Sequence, residues 1–219
     1  AEHFGTRHEE MRLDAETARH EFAHFLRAMD QPSIDGFNTH TVASFAHQRG
    51  MKVVLSGLGG DELFAGYRSF DAVPKLHAVN RAVQKVPLVG TCTGWALERN
   101  PYSARLRRVG SMLRLPATVP NAYRAFRGIF SLHESRLLAS HYLQCSPESL
   151  TRVPDVQMQA VNSRDVVSEC EISLYMRNQL LRDSDVMSMS HGLELRVPLV
   201  DRVLFERVTS VSSDLRLRS

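Results

Sequence analysis

Apolar positions along the chain recur mostly at helical spacing, and one short stretch breaks that rhythm. From Asp14 the segment DAETARHEFAHFLRAM sets Ala18, Phe22, Phe25, Leu26 and Met29 on one face. That pattern predicts an amphipathic helix with Asp14 at its N-cap. Residues 30–36, DQPSIDG, have the Pro, Asp and Gly content of a loop, and residues 37–49 predict a second helix stopped by Gly50. The break comes at residues 51–55, MKVVL, a short apolar run with two adjacent valines. Such a run predicts a buried strand. A helix leading closely into a strand predicts the return half of a β–α–β crossover, and so a parallel sheet. Polar residues 1–13 read as a loose leading segment with no candidate partner strand, so the partner is expected upstream of Ala1.

Beyond Tyr67 the period of two does not return. Residues 70–86, 103–113, 121–130 and 133–141 predict helices, punctuated by Pro74, Pro87, Pro101, Pro116 and Pro120. Residues 147–154 read as a linker. Residues 164–181 predict a long helix with Val167, Cys170, Ile172, Leu174, Leu180 and Leu181 mostly on a core face. The prediction is an α/β portion over residues 1–70, a helical segment over 71–160, and a helical segment over 161–219 that returns to the first. The whole is predominantly helical.

Composition narrows the functional classes. With 219 residues, 43% hydrophobic and 23% charged, the chain can form an ordinary globular core. A net charge of +3 is too small to drive binding to nucleic acid or membranes. The arginines at 99, 105, 107, 108 and 114 lack interleaved aromatics for base stacking and are read as a solvated helix face. No apolar run is long enough to span a bilayer, and no signal peptide is visible. Ala1 in place of Met suggests a piece of something longer. Cys92, Cys145 and Cys170 are odd in number and far apart, which fits reduced thiols. The ten histidines show no metal-ligand spacing, so no structural zinc is expected.

Candidate chemistry follows the strand. Gly57, Gly59 and Gly60 allow a sharp bend whose N–H groups can attract an anion, and Asp61 and Glu62 come next. Amides that attract phosphate beside carboxylates that repel it are reconciled by a divalent cation, since Mg²⁺ takes one or two carboxylates plus phosphate oxygens. The residues therefore fit a Mg-nucleotide site with Asp61 as metal ligand. They also fit a simple turn whose acids cap the next helix. A dinucleotide fingerprint would need glycine where Glu62 stands, and a Walker loop would need Gly-Lys-Ser/Thr.

Further along, Asp183 and Asp185 precede a small-apolar stretch in which Met187 and Met189 are read as core fillers. His191-Gly192 reads as a helix end, with Pro198 and Asp201 opening the next helix. Glu194 and Arg196 share a face if extended, either paired together or with Arg196 free to fork a carboxylate.

Residues 56–67, SGLGGDELFAGY, and 181–201, LRDSDVMSMSHGLELRVPLVD, resemble two signature blocks of the glutamine-hydrolysing asparagine synthetase family, in the correct order. Residues 30–36 resemble that family's DxPS-type segment, so Ser33 and Asp35 either line the acceptor site or cap the next helix. The resemblance implies an α/β fold of the PP-loop ATP pyrophosphatase type. It implies that Ser56, Gly57, Gly59 and Gly60 touch ATP, that Asp61 holds Mg²⁺, and that Asp61 and Glu62 are catalytic. Asp183, Asp185, Glu194 and Arg196 are then substrate-binding candidates. The implied reaction adenylates the side-chain carboxylate of aspartate, after which ammonia from a glutaminase domain of the same parent chain displaces AMP. A cytoplasmic location is implied, and an exposed strand edge would allow a homodimer.

Departures bear on this reading. Leu58 stands where many members carry glutamate, and Gly60 where some carry serine. That leaves open a relative adenylating another carboxylate, of the β-lactam synthetase or peptide-cyclising type, or a non-catalytic degenerate module. The sequence holds no SGGxDS loop, no N-terminal cysteine and no later catalytic lysine, so the 219 residues alone are expected to be inactive.

Overall fold

A computed structural model describes residues 2–33, 35–150, 160, 162–211 and 213–216. In chain order the elements are α1 (Ala15–Ala28), α2 (Gly36–Gln48), β1 (Val53–Leu55), α3 (Gly60–Phe64), α4 (Ser69–Gln84), α5 (Pro87–Glu98) and α6 (Ala104–Leu113). They continue with α7 (Val119–Arg127), α8 (Leu132–Leu143), α9 (Ser163–Cys170), α10 (Leu181–Met189), β2 (Glu194–Arg196), α11 (Arg202–Thr209) and α12 (Ser213–Arg216). Between α9 and α10, Glu171–Leu180 is π-helical. The chain divides into two compact units, Ala1–Gly59 with Tyr175–Arg202, and Gly60–Leu174 with Val203–Ser219.

In the first unit the Asp14 carboxylate accepts from Thr17 N at 2.8 Å, the expected cap of α1. Only Phe25 of the predicted apolar face is buried, edge-on to Phe37 at 5.6 Å. Phe22 and Leu26 are about half exposed. The strand is shorter than predicted and open rather than buried, with Leu55 73% exposed. Among the described residues its partner lies downstream. β1 pairs in parallel with β2, Val54 opposite Leu195, and the ladder is extended by Glu194 N to Lys52 O and Ser56 N to Arg196 O. Two strands with one small apolar cluster (Ala43, Ala46, Leu193, and Val54 against it) cover one side only, which is why the valine run is not enclosed.

α10 carries helix on past residue 181, where the long predicted helix was expected to end. Asp183 and Asp185 therefore lie within a helix, about 200° apart around its axis. Met187 is buried as expected, but Met189 is 60% exposed because it falls on the helix's outer side. Gly192 does close the segment in the left-handed region, φ +62°. Next to it His191 Nε2 lies 3.3 Å from Nδ1 of the buried His40.

The second unit is helical. Its core gathers Phe70 and Val73 from α4, Met112 and Leu113 from α6, Ala122 and Tyr123 from α7, and Val166, Val167 and Cys170 from α9. Pro74 does not end a helix but sits inside α4, while Pro87 and Pro120 occupy first-turn positions of α5 and α7, where a missing N–H costs nothing. Helix α5, PLVGTCTGWALE, is not among the predicted helices, because two glycines and two threonines lower its helix propensity. Packing supplies the reason. A Cβ on Gly110 of α6 would stand 2.6 Å from Gly94 O, and one on Gly94 would stand 2.9 Å from Gly110 O, so the two helices touch backbone to backbone.

The arginine-rich segment is in part the solvated face expected, with Arg99, Arg105 and Arg114 exposed and Arg107 and Arg108 half-buried. Arg107 pairs with Glu134 at 2.6 Å, Arg108 donates to the carbonyls of Ala125 and Ile129 at 3.0 Å each, Arg114 pairs with Glu98, and Arg99 lies over Trp95. These guanidiniums tie helix ends together. The predicted linker includes a short 3₁₀ turn at Pro147–Ser149, and its part beyond residue 150 lies outside the described residues.

Two outcomes are expected. Gly110→Ala gains about 1 kcal/mol of helix propensity but forces a methyl into backbone that cannot retreat. Overpacking wins, and after the propensity gain a urea titration should show a net loss of up to about 2 kcal/mol. The second concerns pH. Burial lowers the pKa of His40, with His191 beside it acting the same way and Glu21 opposing. Burial also lowers that of His191. Both imidazoles are held neutral in the fold, so the unfolded chain takes up protons first as pH falls below 6.5. Their stabilisation is full above that pH and is lost as pH drops through the lower folded values. The thermal midpoint should fall between about pH 7 and pH 5, and His191→Gln should flatten that dependence.

Candidate active site

At the carboxyl end of β1 the chain enters the glycine bend. Ser56 N is tied to Arg196 O at 2.9 Å, which pins the start of the bend to β2. Gly57 is exposed, and a Cβ there would meet nothing within 4 Å, so a ligand can approach its backbone. Gly59 is buried with φ +97°, and a Cβ on it would press on Leu199 O and Val200 Cγ2 at 3.0 Å. Glycine is required there on both counts. The end of a parallel strand pair is where open α/β sheets bind ligands.

The second unit begins at Gly60, and α3 places its two acids differently. Asp61 is exposed and its carboxylate lies over Gly66. Glu62 is 1% exposed and accepts from Tyr67 OH at 3.0 Å, while its carbonyl accepts from Ser168 Oγ at 2.8 Å. Burial pushes the Glu62 carboxyl up from the usual carboxylate range, and the Tyr67 hydrogen bond pulls it partly back. Asp61 thus offers a hard oxygen donor to solvent, as Mg²⁺ prefers. Glu62 faces inward. Among the described residues no group of three or more His, Cys, Asp or Glu side chains is arranged to hold a metal.

Behind this turn lies a network that sequence reasoning missed. Glu171 is fully buried and receives Tyr123 OH at 2.9 Å, Arg127 Nη2 at 3.0 Å and the Ser69 hydroxyl. The Arg127 guanidinium sits 4.6 Å from the centre of the Tyr67 ring, and Tyr67 holds Glu62. Burial, reinforced by Glu171, raises the Tyr123 phenol well above its ordinary range, so it stays a donor. One signal was present. Glu171 falls on the same helical stripe as Val167, Cys170 and Leu174, and a charge inside an apolar stripe demands partners.

The remaining predicted residues belong to the first unit. Ser33 Oγ accepts from Gly36 N at 2.7 Å and donates to Asp183 Oδ2 at 2.6 Å. Ser33 therefore caps α2 and ties it to α10. Asp35 is exposed and makes no side-chain cap bond. Burial raises the Asp183 carboxyl, the Ser33 bond lowers it, and Asp35 and Asp30 nearby raise it again. Asp185 is exposed and stands apart from Asp183. Arg196 Nε donates to Glu194 Oε1 at 2.8 Å with both side chains more than half exposed, so of the two possibilities the ion pair is formed. At that exposure it contributes about 0–1 kcal/mol.

The family model described as Asparagine synthase matches residues 1–219. Among curated proteins, the chain is 26% identical over 178 residues to "Asparagine synthetase [glutamine-hydrolyzing] 1" of Bacillus subtilis (strain 168), covering 76% of this chain and 26% of that protein. The chain therefore spans about a quarter of the length of the curated relative it matches. No solved structure matches.

Removing the Glu171 carboxylate would leave Arg127, Tyr123 and Ser69 without their acceptor. Glu171→Ala should cost about 3–5 kcal/mol in chemical denaturation, against about 1–3 for Glu171→Gln, which keeps an acceptor oxygen.

Proposed function

The chain belongs to the asparagine synthase family, and on that premise we propose that it forms the acid-and-glycine part of an ATP-dependent ligase that makes asparagine from aspartate. Membership itself supports a synthetase-type function. The observation that carries the finer reading is Asp61: an exposed carboxylate directly after a glycine bend that leaves the strand end open.

In this reading Ser56, Gly57, Gly59 and Gly60 present backbone to the nucleotide, and the two strands belong to a PP-loop-type sheet. A side-chain carboxylate oxygen of aspartate attacks the α-phosphorus of ATP, and the bond from that phosphorus to the bridging oxygen breaks. Pyrophosphate leaves with the electron pair, giving β-aspartyl-AMP. Ammonia then adds to the acyl carbon, AMP departs, and the nitrogen loses a proton. The printed name of the Bacillus relative supports glutamine as the ammonia source, through a glutaminase domain of the same polypeptide. Asp61 would hold Mg²⁺, which screens the repulsion between the attacking carboxylate and the triphosphate. Glu62 supports this indirectly, since its buried carboxyl and bonded carbonyl fix the turn that presents Asp61. The absence of a long apolar helix among the described residues is compatible with the cytoplasmic setting we assign.

A second reading is favoured by Leu58. An apolar side chain in the bend removes a polar contact that would recognise an amino-acid substrate, which suits a relative that adenylates a different carboxylate.

ATP–pyrophosphate exchange in the full-length protein tests both. With aspartate, exchange should be robust, and Asp61→Asn should reduce it by about 10²–10³-fold. Unchanged exchange in Asp61→Asn would remove the basis of the proposal. Exchange with another carboxylate but not with aspartate would select the second reading.

A further inference from the structure

Gly66 is glycine for a reason that backbone freedom does not supply. Its φ is not positive, whereas its neighbour Ala65, which is not glycine, takes the left-handed conformation with φ +60° and is 8% exposed. A non-glycine residue there costs about 1–2 kcal/mol. The chain accepts that strain at Ala65 and keeps glycine one position later. Space explains the choice. A Cβ built on Gly66 would overlap Asp61 Oδ1 and stand 2.7 Å from its Cγ and 3.1 Å from its Cβ. The reversal at Ala65 also brings Gly66 N to 3.0 Å from Asp61 O, closing the turn beneath that residue.

We propose that Gly66 is a positioning residue for Asp61: its missing side chain is the slot in which the Asp61 carboxylate lies, and it fixes the direction in which that carboxylate meets Mg²⁺. The inference rests on the reading of Asp61 as the metal-binding acid. Gly66 has no side chain to offer a ligand and acts through the Asp61 side chain that lies over it. Any side chain at position 66 would swing the carboxylate out of the slot while leaving its charge and chemistry intact.

The test is a double-mutant cycle in the full-length protein on Gly66→Ala and Asp61→Ala. Two quantities are read: the free Mg²⁺ concentration giving half-maximal ATP–pyrophosphate exchange, and the thermal midpoint. Gly66→Ala should raise the half-maximal Mg²⁺ about tenfold or more, the scale on which groups that orient a ligand act. In the Asp61→Ala background the added methyl should change neither quantity appreciably, because the overlapping Cγ and Oδ1 are gone. If Gly66→Ala fails to fold while the double variant folds, the clash with the Asp61 side chain is still the cause, in favour of the slot. Failure of both to fold, equal losses in both backgrounds, or an unchanged Mg²⁺ dependence in a folded Gly66→Ala protein would each overturn it. Asp61→Ala alone leaving the Mg²⁺ dependence unchanged would instead overturn the metal role of Asp61, which is a separate failure.

Discussion

A carboxylate taken wholly out of water must have its oxygens answered by donors, and in the helical unit that demand falls on Glu171. Ser69 opens α4, Tyr123 and Arg127 lie on α7, and Glu171 begins the π-helical stretch, so satisfying one side chain fixes three elements against each other. A bidentate approach by Arg127 is directional in a way that apolar contact is not. The same guanidinium covers the Tyr67 ring, whose hydroxyl holds Glu62. The orientation of the acid turn is thus inherited from a buried polar hub. The hub's contribution lies in fixing one arrangement more than in net stability, because burying such groups costs about what their bonds return.

That dependence explains which parts were legible in the sequence. Helices with strong local signals read well: Asp14 caps α1, Ser103 accepts from Leu106 N at the start of α6, and Gly192 ends the segment after α10. The glycine bend and its acids were legible because both depend on residue types at short spacing. The strand partner was not, since parallel pairing joins positions far apart in sequence and three residues of β2 carry almost no periodic signal. Helix α5 was hidden for a related reason. Its glycines lower local propensity and are repaid only by the close approach of α6, which no local window contains.

At the site the split between Asp61 and Glu62 is the clearest case. Adjacent acids in a sequence look equivalent, and a family resemblance treats them as one motif. On a helical turn neighbours point about 100° apart, so one of the pair is free to face solvent while the other is driven inward. Which one goes in was decided by Tyr67, five residues on, and by Ser168, far off in the sequence, whose bonds no local pattern announces. Ser33 shows the converse. Of its expected roles the capping one is seen, and because a hydroxyl can accept and donate at once, Ser33 also donates to Asp183 while accepting from Gly36 N.

The same division of labour recurs in both units. Residues able to meet a ligand, namely Gly57, Asp61, Asp35 and Asp185, are exposed. Each of the two signature acids on the inside, Glu62 and Asp183, is raised by burial and held by a single hydroxyl, Tyr67 or Ser33. A hydroxyl is suited to this duty because it can donate to the carboxylate or accept from the protonated acid, so the contact survives a change of charge state. An amide N–H can only donate, so it could not accept from the O–H of the protonated acid. The inner acids can therefore change charge state without breaking the turns that carry the outer ones.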